Sequence, residues 1–391
     1  MTDPIALYAS VGADLTQYDV DVDAATLTRR GTIALPANVQ YVWPHASRRF
    51  LYAATSDGAS GMGGGGTTHH VSALKVAPDG SLSLHGAPIP LPSRPIHMAT
   101  DIPSEHVLVA FNNPGAVRVY RINPDATPGA EVAPSGPIDP GIFPHQVRAT
   151  LDNRQVILVS RGHDPAPGKP EEPGSLHVFD LQSGVLANQA TVAPGGGYGF
   201  GPRHLDFHPI QPWVYVSLER ENRLDVFGLT NGRLTPEPRF RKSTLADPQK
   251  RPWRQMVGTV RVHPNGRCVY VANRASDAVD WNGQKILAGG ENSLAVYAID
   301  PVSGEPNLIQ HADTHGIHPR TFHIDPTGRL LVVAHIMGLK IRDGEAIRNV
   351  PARLSLFHIQ PDGKLEFKRA YDVDMGERTM WWMGILPTPT V

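Results

Sequence analysis

Residues 201–229, GPRHLDFHPIQPWVYVSLERENRLDVFGL, set the pattern that the rest of the chain repeats. Short β-branched and aromatic segments alternate here with Pro, Asn and Asp, which predicts three strands joined by two turns. The same stretch carries Arg203 and Glu219, two side chains suited to chemistry.

The second predicted strand of this stretch, VYVSLE at 214–219, recurs along the chain. Matching segments are LYASVG (7–12), LYAATS (51–56), LVAFNN (108–113), ILVSRG (157–162), VYVANR (269–274) and LVVAHI (331–336). They are spaced by roughly 45 to 60 residues, which is the period of a four-stranded propeller blade. The sequence thus contains seven repeat units.

The turns within the units explain why each one folds back on itself. HPIQ (208–211), HPNG (263–266) and DPTG (325–328) precede central strands, and Pro and Gly in such tetrapeptides favour a chain reversal. A third strand follows each central one, and we expect a variable fourth strand, for example after Gly80, Gly232 and Gly363.

The first unit lacks its opening strand, whereas RTMWWMGIL at 378–386 offers a strand without a unit. We predict that this C-terminal strand completes the first blade, because closure removes exposed sheet edges. The predicted fold is an all-β, seven-bladed β-propeller of four-stranded blades. Its ring is closed by the N-terminal strands and the C-terminal strand, and residues 1–391 form a single domain.

Composition narrows the choice of partners. Charge is balanced, with 36 Lys+Arg against 37 Asp+Glu, and no basic run suggests nucleic acid. No apolar run is long enough to span a bilayer, and the N-terminus lacks the basic region of a secretory signal. Cys268 is the single cysteine, so we expect a cytoplasmic protein without an internal disulfide. We expect no cofactor, and a monomer or a small homo-oligomer.

Three insertions follow the ends of central strands and should therefore share one face of the ring. They are GASGMGGGGTTHH (58–70), HDPAPGKPEEPGS (163–175) and SDAVDWNGQKILAGGENS (276–293). Loops on one face of a repeat array often form its binding surface, although simple loop decoration is an equal alternative.

Aligning the units brings polar side chains to one mouth of the channel. The predicted cluster comprises His97, His145, Arg203, Glu219, Arg274, Arg320 and His335. Gln146 and His204 occupy the next positions, but alternation along a strand should turn only part of each set inward. Several buried cations with one carboxylate favour an anionic small-molecule site, and a structural salt-bridge network is the alternative.

Other motifs give weaker signals. His208 and His263 lie in His-Pro turns, where side-chain hydrogen bonds are sufficient to explain them. Neither His69-His70 nor HADTHGIH (311–318) has the spacing of a zinc site, so we assign no metal. No GxSxG motif is present, which disfavours a serine-triad hydrolase.

The segments GPRHLDFHP…VYVSLE, VRVHPNGRCVYVANR and HPRTFHIDPTGRLLVVAH resemble the seven-bladed propeller lactonase family. That family includes bacterial propeller 6-phosphogluconolactonases and the fungal 3-carboxy-cis,cis-muconate lactonizing enzyme. The resemblance covers nearly the whole chain. His335 departs from it by standing where the family usually has Asn, and the insertions at 58–70 and 163–175 are unusually long.

The resemblance implies a site made of a His, two Arg and a Glu at one end of the channel. The matching residues are His145, Arg203, Glu219 and Arg274, with Arg320 in a second Pro-Arg motif. We expect His97, Arg320, His335, Gln146 and His204 to contribute to substrate binding.

Three functions remain open from the sequence. In a hydrolase of an anionic sugar-acid lactone, Glu219 or His145 would be the general base and the other the proton donor. Arg203 and Arg274 would grip the carboxylate or phosphate, or stabilise the oxyanion. A carboxymuconate-type cycloisomerase would use the same arginines. A non-catalytic propeller that binds protein partners is favoured if Glu219 and the arginines are fully paired and no pocket exists.

Overall fold

The computed structural model describes residues 4–58, 65–249 and 253–390, and it is built almost entirely of β-strands. In chain order the first strands are β1 (Ile5–Val11), β2 (Asp14–Asp21), β3 (Thr26–Ala34), β4 (Asn38–Pro44), β5 (Phe50–Ser56), β6 (His69–Val76), β7 (Leu82–Pro90), β8 (Pro95–Thr100), β9 (His106–Asn112), β10 (Gly115–Ile122) and β11 (Pro128–Val132). The next are β12 (Pro144–Ala149), β13 (Gln155–Ser160), β14 (Ser175–Gln182), β15 (Val185–Val192), β16 (Pro202–Phe207), β17 (Trp213–Leu218), β18 (Arg223–Thr230), β19 (Arg233–Leu234), β20 (Phe240–Ser243), β21 (Met256–Val262) and β22 (Cys268–Arg274). The last are β23 (Ala278–Trp281), β24 (Gln284–Leu287), β25 (Ser293–Ile299), β26 (Pro306–Asp313), β27 (Pro319–Ile324), β28 (Leu330–His335), β29 (Leu339–Asp343), β30 (Ala346–Val350), β31 (Arg353–Ile359), β32 (Leu365–Asp372) and β33 (Met383–Pro387). Pro194–Gly197 forms a single short 3-10 turn.

Most of the strands form seven antiparallel sheets, which we number as blades in chain order, and β23–β24 and β29–β30 form two separate two-stranded sheets. Blade 1 combines β1–β3 with β33, and blades 2, 3 and 4 are β4–β7, β8–β11 and β12–β15. Blade 5 is β16–β18 with β20 and the short β19, blade 6 is β21, β22, β25 and β26, and blade 7 is β27, β28, β31 and β32. The predicted seven-bladed propeller is confirmed.

The ring closes as the sequence predicted. Strand β33 pairs with β1 in register, from Ile5 opposite Pro387 to Ala9 opposite Met383. The hydroxyl of Ser10 accepts a hydrogen bond from the backbone N–H of Trp382 at 3.0 Å, which fixes the chain just before the closing strand. The closing strand is shorter than the segment 378–386 that predicted it, because residues 378–382 form no strand.

A repeated hydrogen bond joins each of several blades to the next. In four blades a tyrosine of the central strand donates its hydroxyl to a carbonyl in the outer turn of the following blade. The pairs are Tyr8 to Gly80 at 2.7 Å, Tyr52 to Ala126 at 2.9 Å, Tyr215 to Gly304 at 2.9 Å and Tyr270 to Gly363 at 2.9 Å. These phenol hydroxyls are buried, so each of them needs such a partner.

The inner hairpins are locked in the same way. His208 donates to the carbonyl of Gly266 at 3.0 Å, and His263 donates to that of Gly328 at 2.8 Å. Gly266 and Gly328 both have φ of +74°, as their predicted turn positions require. The interpretation of the two His-Pro turns as structural is confirmed.

One expectation about the inner strands is wrong. We expected simple alternation, but the pairing register shifts on the inner strands of blades 2 to 7, for example between Pro202 and His204 on β16. Arg203 is the extra residue of a β-bulge there, and Arg320 occupies the same place on β27. Bulges re-aim side chains, so adjacent residues of one strand can reach the same cluster.

The insertions differ in structure. Residues 59–64 of the Gly-rich insertion lie outside the described residues, and His69 and His70 belong to β6 rather than to a loop. The insertion at 276–293 contains the β23–β24 hairpin, and a fourth insertion after β28, which we did not predict, contains the β29–β30 hairpin. All follow central strands.

Candidate active site

The carboxylate of Glu219, at the end of β17, lies among three arginines from three blades. Arg161 of blade 4 donates to Oε2 through its Nε, and Arg274 of blade 6 donates to Oε1 through Nη2. Arg203 belongs to blade 5, like Glu219 itself. Its Nε lies 3.2 Å from Glu219 Oε1, within ion-pair distance but without the alignment of a hydrogen bond. The cluster is buried, and the side chain of Arg203 is 1% exposed. One carboxylate therefore compensates several buried cations.

Arg274 and His318 extend this cluster. Arg274 Nη1 donates to His318 Nε2 at 2.9 Å, so Nε2 must be the unprotonated nitrogen of a neutral ring. His318 Nδ1 is 3.0 Å from the hydroxyl of Ser276, which completes its hydrogen bonding. Because its lone pair is occupied, His318 positions Arg274 and is a poor candidate for a general base.

A group of histidines lies beside the arginines. The ring centroids of His145 and His204 are 5.1 Å apart, and those of His97 and His204 are 6.1 Å apart. The guanidinium of Arg203 contacts the ring of His204, with Nη1 3.3 Å from Nδ1 and 3.4 Å from Nε2. The bulge on β16 makes this possible, since Arg203 and His204 are consecutive residues.

Of the three histidines His97, His145 and His204, His145 is the one that lines the open space. It lines the cavity described below, and its Nδ1 is buried without a hydrogen-bond partner among the described residues. Burial, followed by the charges of Arg203, Arg320 and Arg274, lowers the pKa of His145 well below its ordinary value. The ring is therefore neutral near pH 7 and can accept a proton.

Burial also acts on the arginines. It lowers the pKa of Arg203 to about 9, with Arg161 as the next cause, so this guanidinium stays charged at neutral pH. The pKa values of Arg274 and Arg320 are likewise lowered by burial and by neighbouring arginines. Positive charge is thus held here at a cost in free energy, which a bound anion would offset.

A cavity of about 1130 Å³ opens above these groups. Its cationic lining side chains are Arg161, Lys169, Arg254, Arg274 and Arg320, and its carboxylates are Asp164, Glu172 and Glu219. Arg203 adds a further cation beneath. The cavity is large enough for a small-molecule ligand and carries an excess of positive charge.

The insertion at 163–175 forms one wall of this cavity. His163, Asp164, Lys169 and Glu172 all line it. The wall is joined to the arginines, because Asp164 Oδ2 is 2.9 Å from Arg161 Nη2 and 3.3 Å from Arg254 Nη2. This insertion is therefore part of the site and not decoration.

Not every predicted residue reaches the site. His145, Glu219, Arg274 and Arg320 line the cavity, while His97, Arg203 and His204 lie buried among them. The expectation that His335 reaches the channel mouth is wrong, because its Nδ1 donates to the carbonyl of Arg353 at 3.0 Å and the ring does not line the cavity. Gln146 accepts a hydrogen bond from the backbone N–H of Leu205 at 2.6 Å and so joins blades 4 and 5.

Arg161, His318 and Trp381 line the cavity but were not among the predicted site residues. Arg161 and His318 flank central and inner strands, where register alone does not show which way a side chain turns. Trp381 lies in the segment before β33, outside the repeat.

The described residues contain one group with metal-ligand geometry. Candidate ligand atoms of Asp101, Glu105 and His106 lie within 4.8 Å of one another. Asp101 already accepts hydrogen bonds from the backbone N–H groups of Glu105 and His106, and its Oδ2 is 2.9 Å from His106 Nδ1. These bonds explain the cluster as a turn motif at the far end of β8 from the cavity. In the described ranges no helix is long and apolar enough to cross a membrane.

Comparison with known proteins assigns the class. Residues 5–339 match the family model described as "Lactonase, 7-bladed beta-propeller", and the chain belongs to this family. It is 28% identical over 343 residues to the 6-phosphogluconolactonase of Bacillus subtilis, covering 85% of this chain and 87% of that protein. It is 26% identical over 366 residues to the 6-phosphogluconolactonase of Serratia proteamaculans, covering 93% of each.

Solved structures agree on the fold. A protein from Lactobacillus plantarum superposes with a TM-score of 0.72 at 22% identity, covering 98% of this chain and 99% of the other. The periplasmic gluconolactonase of Pseudomonas aeruginosa gives a TM-score of 0.70 at 19% identity, covering 98% and 99%. At these identities the likeness concerns the propeller itself.

Proposed function

We propose that this protein hydrolyses an anionic lactone of the sugar-acid type, such as 6-phosphogluconolactone. The observation that carries the proposal is a cavity in which buried arginines outnumber their carboxylate partners and a neutral histidine has an unpartnered nitrogen. Membership of the lactonase family and its 6-phosphogluconolactonase relatives support the reaction class.

The geometry favours His145 over Glu219 as the general base. Both oxygens of Glu219 are engaged by arginines, whereas His145 lines the cavity and its Nδ1 has no hydrogen-bond partner among the described residues. Glu219 then holds Arg161, Arg203 and Arg274 in place. A carboxylate that is bound by several guanidiniums is a weak proton acceptor.

The proposed reaction proceeds in two proton transfers. His145 takes a proton from a water molecule as the water oxygen attacks the lactone carbonyl carbon. Arg274, which lines the cavity, stabilises the oxyanion of the tetrahedral intermediate, and Arg203 adds positive charge beneath it. The bond between the carbonyl carbon and the ring oxygen then breaks, and protonated His145 returns the proton to the departing oxygen, giving the open hydroxy acid.

The alternative of a non-catalytic binding propeller required two features, a fully paired cluster and the absence of a pocket. Glu219 is paired on both oxygens, but the cavity is present and Arg320 has no acidic partner among the described residues. The geometry therefore supports a small-molecule site.

Turnover on a panel of lactones tests the proposal. The panel contains 6-phosphogluconolactone, unphosphorylated aldonolactones and carboxymuconolactones, and proton release is followed with correction for spontaneous hydrolysis. We expect enzyme-dependent hydrolysis that is fastest on an anionic lactone and lost in His145→Gln. Silence across the panel, together with loss of ultraviolet absorbance from carboxymuconate, would replace hydrolysis with cycloisomerisation.

A further inference from the structure

We infer that Arg320, held against Trp381, is the binding residue that selects substrates carrying a carboxylate or phosphate group remote from the lactone carbonyl. The reaction itself rests on the proposed function, but the anion subsite is argued from its own contacts. The arginines of one cavity would then have different tasks.

Arg320 differs from the other buried arginines in its partners. Arg161, Arg203 and Arg274 all lie within ion-pair distance of Glu219. Arg320 is 8% exposed and forms no ion pair or side-chain hydrogen bond within residues 4–58, 65–249 and 253–390. The groups that act on its charge most strongly are Arg203 and Arg94, which repel it. A buried guanidinium with such neighbours needs an anion from outside the protein.

Trp381 supports this guanidinium from one side. Arg320 Cζ lies 3.6 Å from the centroid of the Trp381 ring, and Arg94 Cζ lies 5.6 Å from it. Stacking on an aromatic face leaves the in-plane N–H groups of a guanidinium available, and these match a carboxylate or a phosphate bidentately. The indole Nε1–H of Trp381 is also buried without an acceptor among the described residues. Arg320 and Trp381 therefore share one wall of the cavity.

Ring closure fixes the position of Trp381. The residue before it donates its backbone N–H to the carbonyl of Ile336 at 3.2 Å, and the residue after it donates to Ser10 Oγ at 3.0 Å. Arg320 is itself fixed, because it is the extra residue of the bulge on β27. Trp381 is thus a positioning residue that brings the closing segment into the substrate site.

Kinetics on paired substrates test the assignment. The variants are Arg320→Met, Trp381→Leu and Trp381→Phe, with exposed Arg121→Met as the control. We expect Arg320→Met to raise KM for 6-phosphogluconolactone about 10- to 100-fold, as loss of a charge-assisted bidentate contact implies. For neutral gluconolactone kcat and KM should change less than about 3-fold. Trp381→Leu should raise KM for 6-phosphogluconolactone in the same way as Arg320→Met. Trp381→Phe keeps an aromatic face, so its KM should lie between those of Trp381→Leu and the wild type.

Calorimetry separates this inference from the proposed reaction. The probes are inorganic phosphate, gluconate and 6-phosphogluconate, titrated into the full-length wild type and each variant. A loss of affinity in Arg320→Met of about 10-fold or more supports the subsite even if no lactone is hydrolysed. Loss with gluconate points to a carboxylate, and loss with phosphate points to a phosphoryl group. Equal affinities of the wild type and Arg320→Met for these anions would overturn the assignment of Arg320 as the anion-binding residue. So would an equal loss of activity on neutral and anionic lactones in Arg320→Met.

Discussion

Arg274 of blade 6 donates a hydrogen bond to the carboxylate of Glu219 at the end of the central strand of blade 5. Arg161 of blade 4 binds the other carboxylate oxygen. One acidic side chain thus joins three consecutive blades at the mouth of the channel. The same contacts organise the arginines of the candidate site, so we expect both the stability of the fold and the proposed activity to depend on this carboxylate.

Replacing Glu219 by Gln should reduce both the stability of the fold and the turnover of lactone. The neutral amide leaves buried guanidiniums without compensation, and breaking a buried ion pair in this way costs roughly 3–5 kcal/mol of unfolding free energy. Urea unfolding followed by circular dichroism measures this loss, and lactone turnover should fall with it.

Glu131→Gln is the matched control for that prediction. Glu131 forms an exposed pair with Arg118 at 2.8 Å, and such pairs contribute about 0–1 kcal/mol. If both substitutions changed stability equally, the assignment of Glu219 as the central charge of the cluster would be wrong.

Tyr270→Phe should weaken one blade interface without affecting turnover. The variant loses the hydrogen bond from the phenol to the carbonyl of Gly363 and leaves that carbonyl unsatisfied. A loss of about 1–2 kcal/mol in unfolding free energy follows. Exposed Tyr198→Phe serves as the control and should be neutral. An unchanged stability in Tyr270→Phe would show that the repeated tyrosine contact does not hold the blades together.

The sequence predicted the architecture well because the signals for it are local. Apolar central strands repeat in every unit, and turns such as those at Gly266 and Gly328 precede them, so the sequence reveals the blades and their order. The missing first strand and the surplus C-terminal strand predicted ring closure, which the pairing of β33 with β1 confirms.

The arrangement of the site was less predictable. A β-bulge depends on how two strands pair, and no residue of β16 indicates that Arg203 will be the extra residue of the bulge. His335 aligns with the site by repeat position, yet its ring turns toward the carbonyl of Arg353. Trp381 lies outside every repeat, so only the folded ring shows that it meets Arg320.

Lys169→Met should weaken substrate capture at low ionic strength. Lys169 is exposed on the cavity wall, and its ammonium forms no ion pair with described residues. Such a charge attracts an anionic substrate over a Debye length of about 10 Å at 0.1 M salt. We expect kcat/KM to fall about 2- to 5-fold at low salt and the difference to vanish near 1 M salt. Lys75→Met, on an exposed position of β6, is the control. A salt-independent loss would contradict electrostatic capture.

The pH dependence of kcat/KM tests the role of His145 as base. Only the neutral imidazole can accept a proton, and burial with Arg203, Arg320 and Arg274 lowers its pKa well below the ordinary value. As the pH falls through 6.5, the ordinary histidine pKa, kcat/KM should therefore stay constant, and it should decrease only at lower pH. His145→Gln should reduce kcat about 100- to 10,000-fold with an unchanged circular dichroism spectrum. An acid limb at or above pH 6.5, or full activity in His145→Gln, would assign the base to another group.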